Sequence, residues 1–306
     1  MNRLLLVLKG MAMGAADIIP GVSGGTIAFI TGIYGQLLSS INTIDFKLLK
    51  VFRTEGIKAV WLKINGNFLT MLFAGIAVSI LALSNMIKFL LVEYPVLVWA
   101  FFFGLVLASI FLMGKQVKST NIKNIIVFVL GAFIAYLVTS LHPAQSEETY
   151  RNIFFSGMIA IVAMILPGIS GSFILVILGS YATVLDAISA LNFPIILTFC
   201  LGALIGLLSF SRLLKWTLDN YFDSAISLLT GFLLGSLNKI WPWKKTLAFR
   251  TNRHGELIPS IQKNIWPYEY TEGEPQILLA SALFSLGVVI IFILARMGKD
   301  KNMANQ

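Results

Sequence analysis

The sequence has few of the residues on which soluble proteins and enzymes depend. Charged residues make up only 12% of its 306 residues, and it has one cysteine and two histidines. Because a soluble domain carries roughly 25% charged residues, this shortage excludes an ordinary soluble protein. The single cysteine, Cys200, also excludes a disulfide within these 306 residues.

Groups that carry catalysis are scarce as well. The two histidines, His142 and His254, stand in polar stretches, and no histidine, cysteine and carboxylate cluster has the spacing of a metal site. No apolar run carries a nucleophile beside a plausible base, and the glycine-rich stretches lack the Gly-Lys-Ser/Thr of a nucleotide-binding loop. We therefore predict that the chain is not an enzyme and has no catalytic residues, metal site or cofactor.

Hydrophobic residues make up most of what is there. They account for 57% of the sequence, the mean hydropathy is +0.85, and apolar segments run from end to end, which together indicate a polytopic membrane protein. The net charge of +9 would suggest a nucleic-acid partner for a soluble protein. Here the basic residues cluster in loops beside apolar segments, so we expect membrane lipids as partners and no nucleic acid.

A short motif occurs twice, each time between two apolar runs that are typical of helices. It reads PGVSGG at residues 20–25 and PGISGS at residues 167–172. Proline breaks a helix because it has no N–H and clashes with the preceding turn, and glycine lets other groups approach bare backbone. Such backbone is tolerated at membrane depth only where protein buries it or water reaches it. Each motif therefore predicts the tip of a re-entrant helical hairpin that builds a site.

The two motifs belong to a longer internal repeat. A shift of 147 places residues 20–41 on residues 167–188, with ten identical pairs among 22 positions. Farther along the chain a shift of 127 pairs Gly75 with Gly202 and gives at least five more identical pairs, among them Ser109 with Ser236. The difference, 147 − 127 = 20, indicates a 20-residue insertion in the basic segment between residues 46 and 67. Internal repeats of this length are typical of transporters.

We predict an all-α polytopic membrane protein with two inverted-topology repeats, each a broken re-entrant helical hairpin followed by three transmembrane helices. The first repeat is residues 1–140, with the hairpin at 4–41 and spans at 67–91, 96–113 and 124–140. The second repeat is residues 150–298, with the hairpin at 152–188, spans at 193–213, 222–238 and 276–296, and an extracytoplasmic loop at 239–275. Because three crossings is an odd number, the two repeats take opposite orientations in the membrane.

The distribution of basic residues predicts which side faces the cytoplasm. If each hairpin returns to the side from which it starts, the loops 42–66 and 114–123 share a side with both termini. That side holds nearly all the unopposed lysines and arginines, so we predict that both termini are cytoplasmic. The loop 239–275 combines basic and acidic residues with three tryptophans, which predicts a folded loop at the membrane interface.

The arms that follow the two tips predict an anion site. Helix N-termini carry free N–H groups and a partial positive charge, and small residues leave that backbone open. The candidate substrate-binding residues are Pro20, Gly21, Ser23, Gly24, Gly25, Thr26, Pro167, Gly168, Ser170, Gly171 and Ser172, with Arg212 as a phosphate partner near the headgroups. The alternative is that these small residues only allow tight packing, as we expect for the GxxxG pairs Gly202–Gly206 and Gly231–Gly235.

Asp17 lies three residues before the first tip, at membrane depth in this interpretation. Because an intramembrane carboxylate is a functional candidate, we predict that Asp17 couples transport to a proton or a sodium ion. Its counterpart in the second half is Met164, so its role breaks the symmetry of the repeat. The alternative is a capping or structural hydrogen bond.

Residues 14–26, GAADIIPGVSGGT, together with LPGISGS at residues 166–172, resemble a family of bacterial polyprenyl-phosphate translocases over most of the chain. The resemblance implies a lipid-carrier flippase that returns undecaprenyl phosphate from the outer to the inner leaflet of the cytoplasmic membrane for cell-envelope synthesis. It also implies that Asp17 and the tip residues named above belong to the family's functional motif. The residues alone leave open an ion-coupled transporter or channel for a small water-soluble anion.

Overall fold

The computed structural model describes residues 3–19, 22–45, 47–141, 149–251 and 257–299, which are helical apart from one β-hairpin and a 3-10 turn. The helices are α1 (Arg3–Ile18), α2 (Gly24–Ile30), α3 (Tyr34–Asn42), α4 (Lys47–Lys63), α5 (Gly66–Glu93), α6 (Pro95–Gly114), α7 (Ile122–Ser140), α8 (Tyr150–Ile165), α9 (Gly171–Ile177), α10 (Tyr181–Ser189), α11 (Phe193–Asn220), α12 (Phe222–Ser236) and α13 (Ile277–Lys299). The strands are β1 (Lys244–Thr251) and β2 (Leu257–Asn264), and the 3-10 turn is Pro267–Glu269.

Five helices are long and apolar enough to cross a membrane, namely α5, α6, α7, α11 and α13. They coincide with five of the six predicted spans, and the chain is a multi-pass membrane protein. The sixth predicted span, 222–238, is the 15-residue apolar helix α12, which ends at Ser236. At about 1.5 Å per residue, α12 is roughly 22 Å long, which is shorter than a hydrocarbon core of about 30 Å.

The helix bounds follow the two shifts of the internal repeat. Adding 147 to the bounds of α1, α2 and α3 gives those of α8, α9 and α10, and adding 127 to the bounds of α5 gives those of α11. The inserted residues form α4, which has no counterpart in the described stretch between α10 and α11. The segment that we predicted as the basic loop 42–66 is therefore mostly helical, with a kink at Gly56, where φ is 78°.

Each arm that follows a tip is broken a second time, which the sequence analysis did not predict. The turn between α2 and α3 contains Gly32, and the turn between α9 and α10 contains Gly179. The 147-residue shift pairs these two glycines, and both have left-handed backbone, with φ of 73° and 71°. Glycine adopts this conformation readily because it has no Cβ. In the second hairpin the two short helices meet at 109°.

The two halves contact each other through the helices that follow α5 and α11. Within each half, α1 packs on α5 and α8 packs on α11, whereas α6 packs mainly on α13 and α12 packs mainly on α7. Glycines permit these close crossings, because an added Cβ at Gly104 would strike the carbonyl oxygen of Phe284, and one at Gly231 would strike that of Phe128. Gly202 meets a backbone carbonyl of α8 in the same way, which is the packing role expected for the GxxxG pairs.

The loop predicted at 239–275 contains the β-hairpin, so the all-α prediction is incomplete in this segment. The strands β1 and β2 are antiparallel, with Lys244 opposite Asn264. The Nε1 of Trp241 donates a hydrogen bond to the carbonyl oxygen of Ile265 at 2.9 Å, which ties the start of the segment to the residue after β2. The described part of this segment is therefore folded, and it packs next to the end of α12.

Candidate functional site

The first tip is closed by a carboxylate. Asp17, near the end of α1, accepts a hydrogen bond through Oδ1 from the backbone N–H of Gly24 at 2.7 Å. Ser23 is the N-cap of α2, and its Oγ accepts the N–H of Gly25 at 3.1 Å. A Cβ at Gly24 would lie 2.5 Å from Asp17 Oδ2, so glycine lets the carboxylate approach this closely. The start of α2 thus already holds an anion, as the capping alternative for Asp17 describes.

The other end of α2 holds a cation. Lys9 of α1 is only 6% exposed, and its Nζ donates to the carbonyl oxygen of Thr31, the C-cap of α2, at 2.6 Å. An anion at the N-terminal end and a cation at the C-terminal end both match the helix dipole. The helix α1 therefore holds α2 at both ends through Asp17 and Lys9. Sequence reasoning missed Lys9, although a lysine within an apolar run was a usable signal.

The second tip has no such carboxylate. Met164 stands at the position of Asp17, because 17 + 147 = 164. Ser170, the N-cap of α9, makes no capping hydrogen bond, and its Oγ lies 2.9 Å from that of Ser172. Among the residues that the structure describes, no acceptor bonds the backbone N–H of Gly171 or Ser172. The second tip therefore offers two N–H groups and two hydroxyls to an anion.

The structure brings the two hairpins into contact at their breaks. Ser23 Oγ donates to the carbonyl oxygen of Met164 at 3.2 Å, and the hydroxyl of Tyr34 donates to that of Ile165 at 3.0 Å. A Cβ at Gly25 would lie 2.7 Å from the same Ile165 oxygen. The last carbonyls of a helix have no partners within it, so the first hairpin satisfies the end of α8 and fixes the second tip in place.

Pro167 and Gly168 pack the second tip against the rest of the protein. Pro167 is buried, and Gly168 has a left-handed φ of 89°. A Cβ at Gly168 would lie 3.0 Å from the Cα of Leu233, so the tip packs directly on the backbone of α12. The corresponding residues of the first tip, Pro20 and Gly21, lie outside the described residues.

The side chains of two predicted site residues, Thr26 and Arg212, make no hydrogen bond to the described tip residues. Thr26 is fully buried, and its hydroxyl has no hydrogen-bond partner within the described ranges. Arg212 lies at the other end of the first hairpin, where its Nη2 donates to the carbonyl oxygen of Ile44 at 3.1 Å. The structure thus gives Arg212 a backbone contact just after α3 and no hydrogen bond with the described residues of either tip.

A cavity of about 340 Å³ lies near the start of α1, and none of the described tip residues lines it. It is formed by α1, α3, the end of α4 and the start of α5, and its polar lining is Arg3, Gln36, Trp61, Asn65 and Asn67. Its only cationic lining residue is Arg3, which is exposed. The cavity therefore combines one cation with several neutral polar groups, close to where α1 begins.

A multi-pass helical protein with two packed, broken hairpins and an open polar tip is typical of membrane transporters. The chain belongs to the undecaprenyl phosphate translocase-like family, whose model matches residues 13–258. It is 50% identical over 294 residues to a polyprenyl-phosphate transporter of Vibrio cholerae, covering 95% of this chain and 96% of the relative. It is 32% identical over 254 residues to a polyprenyl-phosphate transporter of Staphylococcus aureus, covering 77% of this chain and 85% of the relative. No solved structure matches the chain.

Proposed function

We propose that this chain carries undecaprenyl phosphate from the outer to the inner leaflet of the bacterial cytoplasmic membrane, for reuse in cell-envelope synthesis. The observation that carries the proposal is the 50% identity, over 95% of the chain, to a polyprenyl-phosphate transporter. The chain is a member of a transporter family and is not an enzyme.

The phosphate group binds at the second tip in this proposal. The hydroxyls of Ser170 and Ser172 lie together there, and the backbone N–H of Gly171 has no acceptor among the described residues. Hydroxyl and N–H donors on neighbouring residues suit a phosphate, whose oxygens accept strong charge-assisted hydrogen bonds. The first tip is less suited to bind phosphate, because the N–H group of Gly24 already donates to the Asp17 carboxylate.

The prenyl tail stays in the lipid while the phosphate crosses. On α10, which follows the second tip, the large apolar side chains Leu185 and Ile188 are 42% and 54% exposed. An apolar helix face open to lipid beside a polar tip fits a substrate with one charged end and a long hydrocarbon tail. A small water-soluble anion would need no such face.

The repeat suggests how the site reaches both leaflets. If the two hairpins enter from opposite sides with both termini in the cytoplasm, their tips meet near the midplane, and rocking one half exposes the second tip to each leaflet in turn. In this arrangement the cavity beside Arg3 opens to the cytoplasmic side and receives the phosphate on release. The Asp17–Gly24 hydrogen bond supports a structural role for Asp17, and coupling to a proton or a sodium ion is a separate prediction.

Translocation in proteoliposomes tests the proposal. Three substrates are compared with the full chain, namely a labelled polyprenyl phosphate, the matching polyprenyl alcohol and inorganic phosphate. We expect protein-dependent movement of the polyprenyl phosphate alone, because only that substrate has both the anion and the tail. Uptake of inorganic phosphate without movement of the lipid would instead establish the small-anion transporter.

A further inference from the structure

A lysine outside the motif lies beside the second tip. Lys239 falls in the turn after α12, and the 127-residue shift pairs it with Leu112 inside α6, because 239 − 127 = 112. The chain therefore turns where its counterpart continues as a helix. The Nζ of Lys239 lies 4.4 Å from the ring centroid of Phe173, in the first turn of α9. The early end of α12 thus places an ammonium group at the second tip.

A second lysine supports the first. Lys244, the first residue of β1, is only 7% exposed, and its Nζ donates a hydrogen bond to the carbonyl oxygen of Lys239. The same Nζ lies 4.6 Å from the ring centroid of Trp99 on α6. The first residue of the β-hairpin therefore adds a second positive charge within electrostatic range of Lys239.

Neither ammonium group has an anionic partner in the part of the chain that the structure describes. The contact of the half-buried Lys239 Nζ there is the Phe173 ring, and the contacts of Lys244 Nζ are a carbonyl oxygen and the Trp99 ring. Burial, together with the nearby charge of Lys239, lowers the pKa of Lys244 to about 7. Two lysines this close, one buried and one half-buried, are costly to keep charged unless an anion joins them.

We propose that Lys239 and Lys244 form an outer phosphate site, which binds the phosphomonoester headgroup of a lipid and passes it to Ser170 and Ser172. The inference rests on the proposed function and adds to it the residues that first receive the substrate. A phosphomonoester carries a charge of about −1.5 to −2 at neutral pH, which two ammonium groups balance. The rings of Phe173 and Trp99 hold the ammonium groups by cation–π contact until the phosphate arrives.

Binding to the purified full chain separates the headgroup from the tail. The variants are Lys239→Gln, Lys244→Gln and Lys239→Arg, with Lys245→Gln as the matched control, because Lys245 is the next residue of β1 and is exposed. The probes are a short-chain prenyl monophosphate, the matching prenyl alcohol and inorganic phosphate. We expect each glutamine variant at positions 239 and 244 to weaken monophosphate binding about tenfold or more, since a hydrogen bond to a charged group and a tenfold change in affinity have about the same free energy.

Binding of the alcohol should be unchanged in every variant, Lys239→Arg should keep more monophosphate affinity than Lys239→Gln, and Lys245→Gln should match the wild type. Equal losses for the alcohol and the monophosphate would overturn the inference, because they would assign the lysines to folding of the β-hairpin. Inorganic phosphate that binds as tightly as the prenyl monophosphate would overturn the lipid headgroup as the ligand. Wild-type protein that translocates polyprenyl phosphate, with Lys239→Gln unimpaired in binding, would overturn this inference and leave the proposed function standing.

Discussion

The two hairpins have the same helix bounds, shifted by 147 residues, but differ in charge. In the first hairpin, Asp17 caps the start of α2 and Lys9 binds its end. In the second, the corresponding residues are Met164 and Ser156, and the hydroxyl of Ser156 lies 2.8 Å from that of Ser180. The first hairpin therefore satisfies its charges internally, whereas the second has a neutral interior and an open tip.

This difference assigns unequal roles to two similar elements. A short helix with an anion and a cation bound at its ends is stabilised against movement and has little to offer a ligand. A tip whose N–H groups lack acceptors among the described residues gains free energy when an anion binds. We infer that the first hairpin acts as a scaffold, which also holds the end of α8 through Ser23 and Tyr34, and that the second hairpin binds substrate.

Giving the second hairpin the carboxylate of the first should have the largest effect. The Cβ of Met164 lies 3.2 Å from where a Cβ at Gly171 would stand, so Met164→Asp can close the second tip as Asp17 closes the first. We expect transport to fall at least about tenfold, because like charges in contact cost several kcal/mol and about 1.4 kcal/mol is a factor of ten. Met164→Asn is the neutral control in the proteoliposome assay. Transport by the aspartate variant at the wild-type rate would contradict the proposal that the phosphate binds at the second tip.

Removing the carboxylate from the first hairpin should reduce stability. Asp17→Ala leaves the Gly24 N–H without its acceptor, so we expect a loss of about 1.5–3 kcal/mol in the free energy of unfolding, as for a hydrogen bond to a charged group. Asp17→Asn keeps an acceptor oxygen and should lose less. Unfolding in detergent measures both, and the same variants report on coupling. A stable Asp17→Asn protein that no longer transports would show that the charge itself is needed.

Much of the fold follows from local sequence patterns. The proline and glycine breaks, the repeat shifts and the hydropathy located the helix breaks at both tips and five helices long enough to cross a membrane, because these depend on neighbouring residues. The helix α11 continues to Asn220, beyond the predicted span 193–213, because hydropathy records the membrane core and not the helix end. The β-hairpin gave no clear alternation in the sequence.

The contacts between distant segments could not be predicted. Asp17 was recognised as unusual, but its bond to Gly24 depends on how α2 folds back on α1. The sequence did not single out Lys9 or Lys239, and only the packed structure places the first at the end of α2 and the second against the Phe173 ring of α9. The pairing of α6 with α13 likewise depends on which helix faces fit together, which local patterns do not specify.

The serines at the two N-caps give a finer comparison. Ser23 accepts the Gly25 N–H and donates to the Met164 carbonyl, so Ser23→Ala should cost about 1–3 kcal/mol of stability by leaving buried groups unpaired. Among the described residues the Ser170 hydroxyl has one hydrogen bond, to the hydroxyl of Ser172, so Ser170→Ala should change stability less than Ser23→Ala but should weaken binding of a prenyl monophosphate. Unfolding and binding measured on the same preparations separate the two effects. The reverse pattern would exchange the roles of scaffold and binding hairpin.

The second turn of each arm should show where the two hairpins remain equivalent. Gly32 and Gly179 have nearly the same left-handed φ, and an added Cβ at Gly32 would meet nothing within 4 Å. Gly32→Ala therefore costs only the backbone preference, about 1–2 kcal/mol, and we expect the same loss for Gly179→Ala in unfolding experiments. Since neither turn touches the tip groups, binding of a prenyl monophosphate should not change in either variant. A loss confined to one of the two would show that the hairpins differ in backbone strain as well as in charge.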